Sequence, residues 1–250
     1  MRIEERPDQL GPGPDPVAAV VARMERVSAG LPRRDGVRAF NQMYLTTTRH
    51  VAAAIRGARF ADPAFMARLD VVFAGLFLDT WERYGAGPAG VPRCWRALFE
   101  ARSRAGVAPL QFAVAGMNAH INHDLAQALV LTCLELGGSL DDTRRADFLI
   151  INRVLGETQP AVRRELLRGP FEVVDVALGD QDDRVALWGI EQAREFAWST
   201  AQTLLAVRGT PFEDAFAAGL DRMVALSSRL LLFGPGSRAM PPDGVAPPIA

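Results

Sequence analysis

The chain has 250 residues, of which 49% are hydrophobic, and a formal net charge of −1. So small a charge creates no field that attracts nucleic acid or anionic lipid, and nucleic acid is not expected as a partner. All the basic residues are arginine, which excludes Schiff-base and P-loop chemistry because both require a lysine.

The two ends of the chain differ in composition from the part between them. Residues 1–15 form a polar, Pro-rich arm and residues 234–250 a Pro/Gly-rich tail, and we expect both to be loose extensions of a helical domain over residues 16–233. The arm lacks the apolar stretch of a signal peptide, and no uncharged apolar run reaches the ~18 residues of a membrane span. We therefore expect a soluble, cytoplasmic protein. Cys94 and Cys133 are too few for a disulfide framework and are predicted to be buried thiols.

Apolar periodicity, prolines at helix starts and glycines at helix ends predict helices through almost the whole domain. The predicted ranges are 16–29, 36–56, 63–84, 92–104, 109–136, 142–155, 160–167, 182–207 and 211–233. The β-branched stretch at 171–178, FEVVDVAL, is too short to carry a sheet. The predicted fold class is therefore all-α, a single-domain bundle of about seven to nine helices.

The predicted helix over 109–136 is apolar except for a polar cluster that includes His120, His123 and Asp124. His120 and Asp124 are four residues apart on a face that is otherwise apolar, so both are predicted to point inward. A carboxylate beside an imidazole raises its basicity and orients the ring, as both acid/base catalysis and metal ligation require. The spacing differs from the zincin pattern, in which Glu follows the first His and the histidines are four residues apart.

Other predicted helices also carry polar residues in apolar surroundings, which is typical of a bundle with a site in its interior. His50 lies on a semi-apolar stripe, and Asp79 follows eight apolar or glycine residues and is predicted to point inward. An arginine such as Arg153 or Arg194 is an equally good partner for Asp79 as a metal. With Glu82 and Asp147, these groups offer nitrogen and oxygen ligands for zinc, iron or manganese. The candidate metal ligands are His50, Asp79, His120, His123 and Asp124, and the candidate catalytic residues are His120, His123 and Asp124.

The strings FAGLFLDTWERY, GMNAHINHDLAQAL and DFLIINRVL resemble an uncharacterised family of all-helical actinobacterial proteins, catalogued only as a domain of unknown function. The resemblance covers most of residues 37–206, and NAHINHDL, residues 118–125, is its most specific part. It implies an all-α fold and a bacterial cytoplasmic setting. It implies no activity and no residue roles.

Two kinds of function remain open. The first is an enzyme, metal-dependent or acid/base, that acts as a cyclase, lyase or hydrolase on a small apolar molecule. Its apolar walls favour a lipid-, terpenoid- or polyketide-like substrate, in specialised metabolism. The second is a non-catalytic ligand-binding or interaction protein in which the buried His, Asp and Asn residues form a structural hydrogen-bond network. Convergence of His50, Asp79, His120 and His123 in one cavity would favour the enzyme.

Overall fold

The computed structural model describes residues 15–167 and 180–234, without the side chains of 159, 162–167 and 180–188. These residues form helices and no strand, so the predicted all-α class is confirmed. Most of the predicted N-terminal arm and C-terminal tail, and the stretch 171–178, lie outside the described residues. The helices are α1 (Pro16–Ala29), α2 (Gly36–Arg56), α3 (Pro63–Ala86), α4 (Arg93–Ala101), α5 (Pro109–Ala119), α6 (Leu125–Leu136), α7 (Asp142–Leu167), α8 (Asp180–Val207) and α9 (Glu213–Phe233).

Aspartates fix the starts of the first three helices. The side chains of Asp15, Asp35 and Asp62 each accept a hydrogen bond from a backbone N–H in the first turn that follows. Such N-caps contribute typically about 1 kcal/mol each, because the first N–H groups of a helix have no partner within it. Local sequence is therefore sufficient to explain where α1, α2 and α3 begin.

The predicted helix over 109–136 is continuous, but its middle is not α-helical. Residues His120–Asp124 form a π turn between α5 and α6, in which the N–H of Leu125 bonds to the carbonyl of His120. Counted as one helix, this element brings the described part of the chain to eight helices, within the predicted number. Single π turns inside α-helices are rare and occur frequently at functional sites.

The prediction of separate helices over 142–155 and 160–167 is wrong, because α7 continues through Pro160. A proline inside a helix removes one backbone hydrogen bond and crowds the preceding turn. The α7 segment before Pro160 packs Phe148, Ile151 and Val154 into the core. We attribute the continuation of the helix to this packing, which sequence periodicity alone does not reveal.

Two clusters of buried apolar side chains meet at the π turn. The first contains Phe40 and Trp95 and joins α1, α4, α5 and α9 to parts of α2 and α3. The second contains Leu129 and Phe148 and joins α6, α7 and α8 to the remaining parts of α2 and α3. Gly116 lets α5 approach α2, since a Cβ there would lie 2.4 Å from the Phe40 ring. No helix among the described residues is long and apolar enough to cross a bilayer.

Candidate functional site

The Asp124 carboxylate connects two histidines and a tryptophan. Its Oδ2 accepts hydrogen bonds from Nε1 of Trp95 (2.9 Å) and Nδ1 of His120 (3.1 Å), and its Oδ1 accepts one from Nδ1 of His123 (2.8 Å). His120 and Asp124 are 2% and 3% exposed, so the prediction that both point inward is confirmed. Trp95 belongs to α4, and its hydrogen bond therefore ties α4 to the π turn.

These hydrogen bonds indicate which atoms of Asp124, His120 and His123 carry a proton. Burial opposes ionisation of Asp124, but the hydrogen bonds from His120 and His123 outweigh burial and lower the pKa of the carboxyl. An ionised carboxylate only accepts hydrogen bonds, so both histidines carry a proton on Nδ1. Burial lowers the pKa of His120, which leaves its Nε2 as an unprotonated acceptor near neutral pH. Burial also opposes the charged form of His123, but interaction with Asp124 outweighs burial there and raises the pKa.

The second ring nitrogen of His120 is buried and has no hydrogen-bond partner. The imidazole stacks on Phe73, with ring centroids 3.6 Å apart and planes 6° apart, and its centroid lies 4.4 Å from that of Tyr44. An unsatisfied buried acceptor costs about 1–3 kcal/mol, and such groups in native proteins call for an explanation. No described side chain forms a hydrogen bond to this nitrogen, which makes a ligand a candidate partner.

A cavity of about 140 Å³ lies against His120. Its wall combines residues of α2, α3, α5, α6, α7 and α8 with the π turn, so it lies where the two apolar clusters meet. Most of the wall is apolar, including Met43, Leu69, Phe73 and Ile151. Its polar side chains include Tyr44, Thr47, Thr48, Asp70, His120 and Arg194.

Two more buried polar atoms in this wall lack a partner, the hydroxyl oxygen of Tyr44 and Oδ2 of Asp70. Burial raises the pKa of Tyr44 well above its ordinary value and the Asp70 carboxylate raises it further, which outweighs an opposing effect of the Thr48 side chain. Burial also raises the pKa of Asp70, to about 7. Near neutral pH the tyrosine is therefore protonated and Asp70 is close to its midpoint. Three residues of the cavity wall thus carry an acceptor (His120), a donor (Tyr44) and a group that can be either (Asp70).

Arg194 brings a buried cation to the same cavity. Its Nε donates to Oδ1 of Asn152 (2.7 Å) and its Nη2 to the carbonyl of Phe148 (2.6 Å). Burial lowers the pKa of this guanidinium to about 9. Among the described acids, none forms an ion pair with Arg194, although the Glu195 carboxylate favours its charged form and opposes the effect of burial.

The structure does not bring His50 or Asp79 to the cavity. His50 is exposed on α2, where its Nδ1 lies 2.8 Å from the carbonyl of Thr46. At about 100° per residue it lies about 120° around the helix from Tyr44, which faces the cavity. The prediction that Asp79 points inward is wrong, since its side chain is 61% exposed and forms an ion pair with Arg23 at 2.7 Å. Neither Arg153 nor Arg194 is its partner.

The other predicted acidic groups have structural roles. Asp147 is buried and accepts hydrogen bonds from the backbone N–H groups of Ala61 (2.9 Å) and Asp62 (2.7 Å), just before α3. Glu82 shares Arg23 with Asp79 on the surface, at 2.8 Å. These contacts account for both side chains without a ligand.

Asparagines beside the histidines join helices. The side-chain nitrogen of Asn118 donates to the carbonyl of Val224 (3.0 Å) and to Oγ of Ser228 (2.9 Å), both on α9. Asn122 donates to Oδ1 of Asn118 at 3.0 Å. The hydrogen bonds of Asn118 and Asn122 therefore hold α5 and the π turn against α9.

Sequence interpretation missed Asp70 and Tyr44, although a periodicity signal was present for both. Asp70 lies in line with Met66 and Phe77 on α3, whereas Asp79, nine residues on, lies about half a turn away on the opposite face. The two aspartates therefore point to opposite sides of α3, and the structure buries Asp70. Tyr44 is four residues after Phe40 and shares its face of α2.

The comparisons with known proteins give a family but no activity. A family model described as "Family of unknown function (DUF5995)" matches residues 17–233, and the chain belongs to this family. No curated protein and no solved structure matches the chain. The functional argument therefore depends on the cavity and its side chains.

Proposed function

We propose that the protein is an acid/base enzyme that binds a small, largely apolar molecule in the cavity beside His120. The observation that carries the proposal is that three residues of this one cavity wall each have a buried polar atom without a hydrogen-bond partner: His120 Nε2, the Tyr44 hydroxyl and Asp70 Oδ2. Each unsatisfied group costs stability, and such costs are concentrated at sites where a ligand completes the hydrogen bonds.

The chemistry follows from the protonation of these groups. His120 Nε2 would accept a proton from a bound molecule. The Asp124 carboxylate, which is hydrogen-bonded to Nδ1 of the same ring, would stabilise the imidazolium that forms. Tyr44 and the protonated form of Asp70 would donate hydrogen bonds to an oxygen on which negative charge develops. A carboxylic acid kept neutral by an apolar site is suited to that role. The reaction class supported is proton abstraction next to a carbonyl, as in an isomerisation or a lyase or cyclase step.

The cavity size sets the scale of the substrate. An engineered apolar cavity of about 150 Å³ in another protein takes up one benzene molecule. A volume of about 140 Å³ therefore suits a ring or short chain of roughly six to ten heavy atoms with one oxygen function. Within the lipid-, terpenoid- and polyketide-like classes, the volume favours a small unit over a long acyl chain.

Deuterium exchange tests the proposal without knowledge of the natural substrate. The protein is incubated in D₂O with small carbon acids, cyclohexanone and acetophenone, and loss of the α-proton is followed by NMR. His120→Gln is expected to lower the catalysed exchange rate by about 10²–10⁴-fold, the usual contribution of a general base. His50→Gln is the matched control, because His50 is exposed and outside the cavity wall.

The result separates this proposal from the alternative, a binding protein with a structural polar network. Asp124 and Asn118 make hydrogen bonds to other helices, and these contacts favour a structural role for the two side chains. Parent protein that exchanges these protons no faster than His120→Gln would overturn the acid/base proposal. If both proteins still show saturable line broadening of the two ketones, the binding function is supported instead.

Several narrower expectations stay predictions from sequence. They are an actinobacterial source, a cytoplasmic location, a place in specialised metabolism and the lack of a nucleic-acid partner. The metal site predicted from His50, Asp79, His120, His123 and Asp124 is not proposed again, because two of its five residues lie on the surface.

A further inference from the structure

A second group of side chains includes His123, which bonds to the other carboxylate oxygen of Asp124 from His120. Cys94 on α4, His123 in the π turn and Asp221 on α9 place one ligand atom each within 4.8 Å of one another. Cys94 and His123 are buried, and Asp221 is half-buried. Among the described residues, this is the group of His, Cys and acidic side chains with a geometry that can hold a metal ion.

We propose that Cys94, His123 and Asp221 bind a divalent transition metal ion of the zinc class. Thiolate, imidazole and carboxylate are the three ligand types that zinc takes, at about 2.0–2.3 Å. Those bond lengths place tetrahedral ligands roughly 3.5 Å apart, so small side-chain rotations would close the site. Three protein ligands leave a fourth position for water or another small ligand. The proposal does not depend on the acid/base function of the cavity.

The charges of the site fit a divalent cation. Burial raises the pKa of the Cys94 thiol well above its ordinary value, and the carboxylates of Asp124 and Asp221 raise it further. A divalent ion with one thiolate and one carboxylate forms a neutral unit, which removes most of the cost of burying these charges.

His123 is already oriented for such a role. Its Nδ1 donates to Oδ1 of Asp124 (2.8 Å), which leaves Nε2 as the nitrogen that would bind a metal, with release of any proton that it carries. Histidine ligands in metal sites generally donate their other ring N–H to a carboxylate or carbonyl in this way. The amide nitrogen of Gln127 lies 3.0 Å from Nε2 and must rotate away when a metal binds.

Asp221 also has a structural contact, and the two uses are compatible. Its carboxylate accepts hydrogen bonds from the backbone N–H groups of Arg93 (3.1 Å) and Cys94 (3.0 Å) at the start of α4. Each carboxylate oxygen has a second lone pair for a metal. The capping contacts hold Asp221 beside Cys94, which reduces the reorganisation needed to bind the ion.

Cobalt(II) is the probe, because a cobalt–thiolate bond gives a near-ultraviolet charge-transfer band. Titration of the tag-free, chelator-treated parent protein should produce this band in a one-to-one ratio, and zinc should displace it. Cys94→Ser should abolish the band, whereas Cys133→Ser, at the other buried free cysteine, should keep it. Asp124→Asn should weaken cobalt affinity by about 10–100-fold, as loss of a carboxylate behind a histidine ligand does.

A second variant, His123→Gln, shows whether loss of cobalt binding has a cause other than misfolding of Cys94→Ser. His123→Gln should weaken cobalt binding by more than about 100-fold, beyond the effect of a supporting residue, with its helical circular dichroism unchanged. The proposal is overturned if the parent gives no band, or if the band survives in Cys94→Ser. His120→Gln should bind cobalt normally even where it loses deuterium exchange, so failure of one proposal does not imply failure of the other.

Discussion

Replacement of Asp70 by asparagine should stabilise the protein above neutral pH. Burial holds the pKa of Asp70 at about 7 in the folded state, against an ordinary value of 3.8. Between these two values the unfolded chain gives up the proton while the folded chain retains it. The contribution of Asp70 to stability is therefore complete below about pH 4 and is lost as the pH rises through 7. The other ionisable side chains lining the cavity are Tyr44, His120 and Arg194.

The size of the effect follows from the two pKa values of Asp70. A difference between 3.8 and about 7 corresponds to up to about 4 kcal/mol, at about 1.4 kcal/mol per pKa unit. Asparagine has nearly the same shape and no charge, so it avoids this cost at every pH. For a chain of this size, 1 kcal/mol changes the melting temperature by about 2–4 °C. At pH 8, Asp70→Asn should therefore melt up to about 8–16 °C above the parent.

Thermal unfolding of both proteins at pH 5 and pH 8 checks the prediction. The gain from Asp70→Asn should be large at pH 8 and much smaller at pH 5, while the proposed exchange activity falls by about 10²–10³-fold. Asp147→Asn is the matched control, because that buried carboxylate accepts two backbone hydrogen bonds and an amide can accept only one of them. It should melt lower at both pH values. A gain for Asp70→Asn that does not depend on pH, or a loss at pH 8, would refute the conclusion that burial disfavours the charged form of Asp70.

Two further predictions concern packing around the site. Gly116→Ala should destabilise the protein by about 1–3 kcal/mol in urea unfolding, because the new Cβ would lie 2.4 Å from the ring of Phe40. Gly75→Ala, in α3 with no heavy atom within 4 Å of its Cβ position, should gain up to about 1 kcal/mol, and similar results for both glycines would contradict the close packing of α5 on α2. Trp95→Phe removes the hydrogen bond to Oδ2 of Asp124 and should cost about 1–3 kcal/mol by the same measurement. An unchanged unfolding midpoint would mean that this hydrogen bond does not hold the carboxylate.

Much of the fold could be predicted from local signals. Apolar periodicity and proline positions predicted the starts of α1, α2 and α3, and the structure adds an aspartate cap at each start, which depends on residues within one turn. Residues 142–167 are the exception, where packing of α7 carried the helix through Pro160. The residues next to Pro160 in sequence do not show how much packing energy offsets the cost of a proline inside a helix.

The candidate site could be predicted only in part. The apolar neighbours of His120 and Asp124 correctly predicted burial, since both lie on a face that has no other polar residue. For Asp79 the same approach failed, because α3 is apolar on more than one side and the sequence does not say which side meets the core. Asp70, half a turn away, faces the cavity instead.

The sequence by itself determined the all-α class, the main helix boundaries and the burial of His120 and Asp124. Those properties depend on residues within one or two turns of a helix, where periodicity and capping act. Only the tertiary structure decided which side chains share a space. It put Tyr44 and Asp70 beside His120, placed His50 and Asp79 on the surface, and brought Cys94 and Asp221 to His123. Such groupings depend on how one helix is rotated against another, and that is set by the summed packing of the whole core.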